Sequence, residues 1–280
     1  MNKQIILDPF TNVGPSGVAI CDLNKLLGSV VEKFTFTLGG TAFSKSMITL
    51  IQLKLNGKVV WESTGARLEA SNLYNGGATD ATILKVDFMD RKGVTSNTRV
   101  AGTYDLSVGS GITSARLEVT IAGATAPTLK GIVDVSPPYA DAAEAFIRGL
   151  ILRRHTATYV AGSSGVFALP LPHLDPAGGG TNYRRIYVYS ANMTALKTMR
   201  EGVTEHELTR LENEACQKDN FKFPQANLFV FDPVQDGQLS GRTWDTRPSS
   251  GVRSAQFYAT FSAGETITIE TEELLPYAAY

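Results

Sequence analysis

The sequence predicts an all-β protein built as two tandem β-sandwiches, and three observations carry that prediction. Most of its periodic segments alternate apolar and polar side chains with a period of two, the pattern of strands that bury one face. Glycine-rich breaks such as Gly39-Gly40, Asn75-Gly76-Gly77, Gly109-Ser110-Gly111 and Gly178-Gly179-Gly180 separate these segments at intervals suited to a sandwich or barrel. The third observation is an internal repeat at an offset of about 140 residues. Arg67-Leu68-Glu69 recurs as Arg210-Leu211-Glu212, the run from Ile83 to Asp90 has its counterpart in Leu228-Phe229-Val230-Phe231-Asp232, and Thr113-Ser114-Ala115-Arg116 answers to Arg253-Ser254-Ala255-Gln256.

The elements follow in chain order. Phe34-Thr35-Phe36-Thr37-Leu38 alternates strictly, as do residues 50–55, and Asn56-Gly57 directly after them supplies the positive φ angles of a two-residue hairpin turn leading into Val59-Val60-Trp61. Residues 64–74, with Leu68 and Leu73 as apolar positions, predict a short helix, and residues 82–88 and 117–121 further strands. Pro137-Pro138 ends the first half, because proline cannot continue a sheet ladder. A linker helix is expected over 141–154: Asp141 caps it, Glu144 sits in its first turn, Phe146, Ile147, Leu150 and Ile151 make an apolar stripe, and Arg153-Arg154-His155 face its negative carboxyl end. In the second half, residues 186–189, 228–231, 257–261 and 266–271 alternate as strands, while Thr204 with Glu207 has capping-box spacing and predicts a helix over 204–217. The expected organisation is a first sandwich over 1–136, a linker with its helix over 137–155 and a second sandwich over 156–280.

With 26 Lys+Arg against 27 Asp+Glu, the net charge of −1 gives no electrostatic basis for wrapping nucleic acid. Cys21 and Cys216 fall one in each half, which predicts two free thiols in a reducing compartment. The apolar run at Ile5-Ile6-Leu7 is too short for a secretion signal, so synthesis and folding in the cytosol are expected.

Sites of chemistry are sparse. His155, His173 and His206 have no partner at metal-ligand spacing, so no zinc site is encoded locally. No Cys-x-x-Cys, nucleophile elbow or Walker loop occurs. Acidic residues at Asp87, Asp90, Glu205, Glu207, Glu212, Glu214, Glu270, Glu272 and Glu273 could serve a hydrolase only as a convergent pair. The equivalence of Asp90 with Asp232 across the repeat points instead to turns, since catalysis would demand the same active site twice. No catalytic residue and no cofactor are therefore expected; structural calcium between subunits is conceivable from acidic loops, but the spacing lacks an EF-hand pattern. Trp61 and Trp244 raise a carbohydrate-stacking alternative, with interface burial the competing fate for Trp244 in its Arg242-Thr243-Trp244-Asp245 loop. The apolar termini, Ile5, Ile6, Leu7 and Phe10 at one end and Leu274, Leu275, Tyr277 and Tyr280 at the other, join Arg153, Arg154 and Trp244 as candidate subunit or shell contacts.

Two fused β-sandwiches, each with a late helix, joined by a linker ending in paired arginines resemble the double jelly-roll major capsid proteins of tailless, internal-membrane phages of the corticovirus kind, in one lineage with tectivirus and adenovirus capsomers. The local signatures are Leu53-Lys54-Leu55-Asn56-Gly57-Lys58, similar to a strand-turn V-x-L-x-G element, and the linker Pro138 with Leu152-Arg153-Arg154 before Leu169-Pro170. The loops at 175–181 and 235–251 depart from that pattern. The resemblance implies two tandem jelly rolls (a double jelly roll) and a homotrimer whose six jelly rolls tile an icosahedral shell as a pseudo-hexamer. It further implies assembly in the host cytoplasm and penton and minor capsid proteins as partners, and leaves open whether an internal membrane lies beneath. A double jelly-roll glycan-binding protein or an amide or glycoside hydrolase is the alternative.

Overall fold

The computed structural model describes residues 3–78, 80–107, 110–138, 150–239 and 242–276. The chain divides into two compact units. The first takes in the chain up to Leu73, Gly77–Arg154 and the end from Leu275, and the second takes in Tyr74–Gly76 and His155–Leu274.

In chain order the first unit contains β1 (Lys3–Ile6), β2 (Gly17–Asp22), β3 (Val30–Thr41), β4 (Ile48–Leu55), β5 (Lys58–Ser63), α1 (Gly65–Tyr74), β6 (Ile83–Asp87), α2 (Ser96–Val100), β7 (Tyr104–Asp105), β8 (Ala115–Ile121) and β9 (Ala126–Ser136). One sheet has the order β1-β9-β3-β6, with β7 also paired to β3; the other runs β5-β4-β8-β2. The longest ladder, β3 with β9, pairs Val30 with Ser136 at one end and Thr41 with Ala126 at the other. The Asn56-Gly57 hairpin forms as expected, with φ of 48° and 80° at the two turn residues joining β4 to β5. Thr64 caps α1, its hydroxyl accepting from the Arg67 N–H at 3.2 Å. Phe34 and Phe36 from β3, Ile51 and Leu53 from β4, and Leu117 and Val119 from β8 are buried. Each such side chain contributes roughly 1.5–3 kcal/mol by leaving water.

The second unit follows with β10 (Leu150–Ala161), whose first residues, Leu150–Arg154, still belong to the first unit, β11 (Gly165–Ala168), β12 (Asn182–Tyr189), β13 (Met193–Arg200), β14 (Val203–Thr209), α3 (Arg210–Asp219), β15 (Leu228–Phe231), β16 (Trp244–Asp245), β17 (Ala255–Phe261) and β18 (Glu265–Pro276), whose Leu275 and Pro276 return to the first unit. Its sheets run β15-β12-β18-β10, with β16 also on β12, and β11-β17-β13-β14. Its core draws Ile186 and Val188 from β12, Ile267 and Ile269 from β18, Leu196 from β13, and Phe257 and Phe261 from β17, so the two sheets pack face to face.

The repeat seen in the sequence is topological. β1, β9, β3 and β6 of the first unit take the places of β10, β18, β12 and β15 in the second, and β2, β8, β4 and β5 those of β11, β17, β13 and β14. A helix follows the fifth strand of each unit, and the short β7 and β16 pair with equivalent strands. This strand order, repeated twice, is the jelly roll.

Two expected helices need correction. Residues 150–154 of the expected linker helix are strand: they open β10, whose Arg154 lies parallel to Trp61 of β5, and Gly102 exchanges backbone hydrogen bonds with Leu150 and Leu152. The remainder of that helix, over 141–149, lies outside the described residues. The helix expected over 204–217 begins at Arg210. Residues 204–209 instead continue β14, with Thr198 opposite His206 and Leu196 opposite Leu208, after a turn in which Glu201 and Gly202 take φ of 50° and 76°. The capping box belongs to Thr209 and Glu212, five residues later than Thr204 and Glu207 suggested.

Candidate functional site

Two gatherings of polar side chains lie in the second unit. In the first, β10 carries His155, β18 carries Glu273, and the loop between β11 and β12 presents His173. Their ligating atoms all lie within 4.8 Å of one another. The loop is held on both sides of His173. Leu171 is buried in the core and Leu174 packs against it, Tyr183 Oη donates to the Pro172 carbonyl, and the Leu174 N–H closes a four-residue turn onto Leu171 O at 3.2 Å. Pro172 sets the second corner of this turn, and His173 occupies the third with φ of 57°, a left-handed conformation uncommon for any residue but glycine.

Glu273 is fully buried yet well supplied with donors. Its two oxygens lie 3.2 and 3.1 Å from His173 Nδ1, Thr181 Oγ1 donates to Oε2 at 2.8 Å and Thr271 Oγ1 to Oε1 at 2.9 Å. Burial pushes its carboxyl up, but the His173 hydrogen bond, the charges of His155 and His173 and the Thr181 hydroxyl together hold it below the ordinary carboxylate value. The two imidazole rings meet edge to face with centroids 4.8 Å apart. His173 reaches solvent, so the cluster is open on that side.

The second gathering is a buried charge network. Arg185 Nε donates to Asp232 Oδ2 at 2.8 Å and its Nη1 to Glu272 Oε2 at 3.4 Å; Lys222 Nζ stands 3.8 Å from Asp232, and Tyr187 Oη donates to Glu272 at 3.2 Å. Burial, and then the Asp232 carboxylate, keep the Tyr74 phenol protonated, and it donates to Asp232 Oδ2 at 3.1 Å. Charges so deeply placed are tolerated only because each is paired or hydrogen-bonded. The arrangement is structural, with every carboxylate oriented onto a neighbour.

Most of the side chains expected at contacts are buried. Leu7, Phe10, Trp244, Leu274 and Leu275 are at most 9 % exposed, and Trp244 donates its Nε1–H to Glu205 at 2.9 Å while stacking on Tyr183 at 5.5 Å. Arg153 is buried, and Arg154 lies 5.7 Å over the Trp61 ring and donates to Ser71 at 3.2 Å. Ile5 is half-buried and Ile6 is 75 % exposed; Tyr277 and Tyr280 lie outside the described residues. Exposed Val160, Val166 and Val203 were not singled out by the sequence, because an apolar residue in an alternating strand reads as inward-facing whichever side it takes. His155 and His173 were separated by sequence spacing, and only the fold brings them to Glu273.

Two family models match this chain: the viral coat protein P2 N-terminal domain over residues 4–136 and the P2 C-terminal domain over 151–276. Among solved structures, the major capsid protein P2 of bacteriophage PM2 is similar with a TM-score of 0.80 at 16 % identity, covering 98 % of this chain and 97 % of that one. A structure of Sulfolobus Turreted Icosahedral Virus gives 0.67 at 10 % identity over 100 % of this chain and 93 % of that one, and the PBCV-1 virus capsid 0.59 at 10 % over 98 % and 93 %. No curated protein sequence matches.

Proposed function

Since this chain belongs to the viral coat protein P2 family, we propose that it works as the major capsid protein of an icosahedral virion by forming trimers whose six jelly rolls make one pseudo-hexagonal tile. The single observation that carries this reading is the strand-for-strand repetition of one jelly roll in both units. Two similar but unequal sandwiches per subunit let threefold symmetry fill six near-equivalent positions. The near-neutral charge agrees with a shell protein that does not itself grip the genome.

The trimer would assemble in the host cytoplasm and then meet its own copies, penton and minor capsid proteins, and a membrane beneath the shell. Ile6, exposed at the end of β1, is the apolar side chain best placed for such a contact among those expected from the sequence. No catalytic role is assigned. The glycan-binding alternative loses its motive, because Trp61 and Trp244 are each 2 % exposed and offer no ring face to a sugar.

Light scattering of the purified protein tests the reading. A stable species of three times 30.1 kDa supports it, whereas a monomer at micromolar concentration contradicts it.

A further inference from the structure

We propose that His155, His173 and Glu273 form a binding site for one divalent transition-metal ion of the zinc class. The site stands on the geometry of the second unit alone and does not depend on the capsid reading.

The donor set decides the class. Two imidazole nitrogens and one carboxylate suit zinc, which takes His nitrogen at about 2.0–2.1 Å and Glu oxygen at about 2.0–2.2 Å and leaves a fourth position to water in three-ligand sites. Calcium asks for six to eight oxygen ligands, and this cluster supplies one carboxylate. The exposed side of His173 is where the fourth, water-filled position would lie.

The spacing is close to what a tetrahedral ion needs. Those bond lengths put neighbouring ligand atoms roughly 3.4 Å apart. His173 Nδ1 and Glu273 Oε2 already stand at 3.1 Å. The widest separation in the cluster is at most 4.8 Å, so the ligand atoms would draw together by at most about 1.4 Å around a bound ion.

The surroundings are those of a supported ligand. Thr181 and Thr271 each donate a hydroxyl to the Glu273 carboxylate and fix its plane, the role that hydrogen-bonded neighbours play around metal-binding carboxylates. The left-handed φ of His173 costs energy that glycine would not, and it is maintained by a turn anchored at Leu171, Pro172 and Leu174. A bound ion would tie this turn to β10 and β18, closing the connection between β11 and β12 onto the sheet.

The test uses the full-length purified protein, stripped with a chelator and then dialysed against Zn2+ or Ca2+. Wild type is expected to retain one equivalent of zinc, and its thermal midpoint to rise with zinc concentration but not with calcium, since an ion that binds only the folded state stabilises it by mass action. His173→Asn removes a ligand while keeping a residue that tolerates the left-handed conformation, and should weaken zinc binding at least ~10-fold, a floor borrowed from losses seen when even outer partners of a metal ligand are removed. His155→Gln provides a second variant should the first fail to fold. The proposal is overturned if wild type binds no zinc, if calcium shifts the midpoint as much as zinc does, or if the folded variant binds zinc as tightly as wild type.

Discussion

Arg185 and Asp232 meet at 2.8 Å with both side chains buried, and the same Asp232 oxygen also accepts from Tyr74. The other oxygen accepts the Val234 N–H at 3.2 Å, so this carboxylate fixes a turn and neutralises a guanidinium at once. Removing it leaves the buried Arg185 guanidinium without its nearest carboxylate, with Glu272 at 3.4 Å left to offset it. Asp232→Ala should cost about 3–5 kcal/mol, as for other buried pairs broken on one side. Asp232→Asn keeps the turn and part of the hydrogen bonding and should cost less. Urea unfolding of both variants measures the difference; equal, small losses would show that the network is dispensable.

The start of α3 gives a second prediction. Thr209 Oγ1 accepts from the Glu212 N–H at 3.3 Å, while Glu212 accepts from the Thr209 N–H at 2.8 Å. Thr209→Ala should therefore destabilise by about 1 kcal/mol, the usual cost of losing a cap. Thr204→Ala, at the position with the same spacing but inside β14, should cost no cap energy. Chemical denaturation of the pair distinguishes strand from helix at residue 204.

His206 makes stability depend on pH. Burial pushes its imidazole down from the ordinary value of 6.5; Arg200 acts in the same direction and Glu205 opposes it. Thr198 Oγ1 lies 3.0 Å from its Nδ1. The folded protein therefore takes up this proton at lower pH than the unfolded chain. As pH falls below 6.5 the unfolded state binds more protons and stability drops, until the lowered folded-state value is reached; above that window this residue contributes no pH dependence. Urea midpoints at about pH 7.5 and about pH 5.5 should fall further in wild type than in His206→Gln. An identical drop in both would assign the effect elsewhere.

Where a signal was local, the sequence disclosed it. The Asn56-Gly57 turn, α1 behind Thr64 and the alternating strands depend on neighbours a few residues away, and they formed where expected. The equivalence of Asp90 and Asp232 was legible too. Asp90 Oδ1 accepts the Lys92 N–H at 3.2 Å just as Asp232 accepts that of Val234, the same turn built twice. The placement of α3 was obscured because Thr204-x-x-Glu207 and Thr209-x-x-Glu212 have the same spacing, and pairing with β13 gave the first to a strand. Tertiary pairing also overrode helical periodicity at residues 150–154. The cluster of His155, His173 and Glu273 had no sequence signature, because its members come from two strands and a loop that only the jelly-roll topology makes neighbours.

The two chain ends separate stability from assembly. Leu274 is fully buried and Leu275 nearly so, both within β18, so Leu274→Ala should cost about 2–5 kcal/mol, the range for truncating a core leucine. Deleting the chain from residue 274 onward should impair folding itself. Ile6 is different: it is 75 % exposed, pairs with Ile132 through its backbone on β1, and its side chain adds little to the core. Ile6→Lys should leave the thermal midpoint and the trimer unchanged while lowering the yield of closed shells, because a charged side chain resists burial against a neighbouring subunit. Electron microscopy of assembly reactions, with circular dichroism of the same preparations, decides the matter. Normal shells from Ile6→Lys would remove this strand end from the assembly surface, and a loss of fold would place Ile6 among the residues that hold the first jelly roll together.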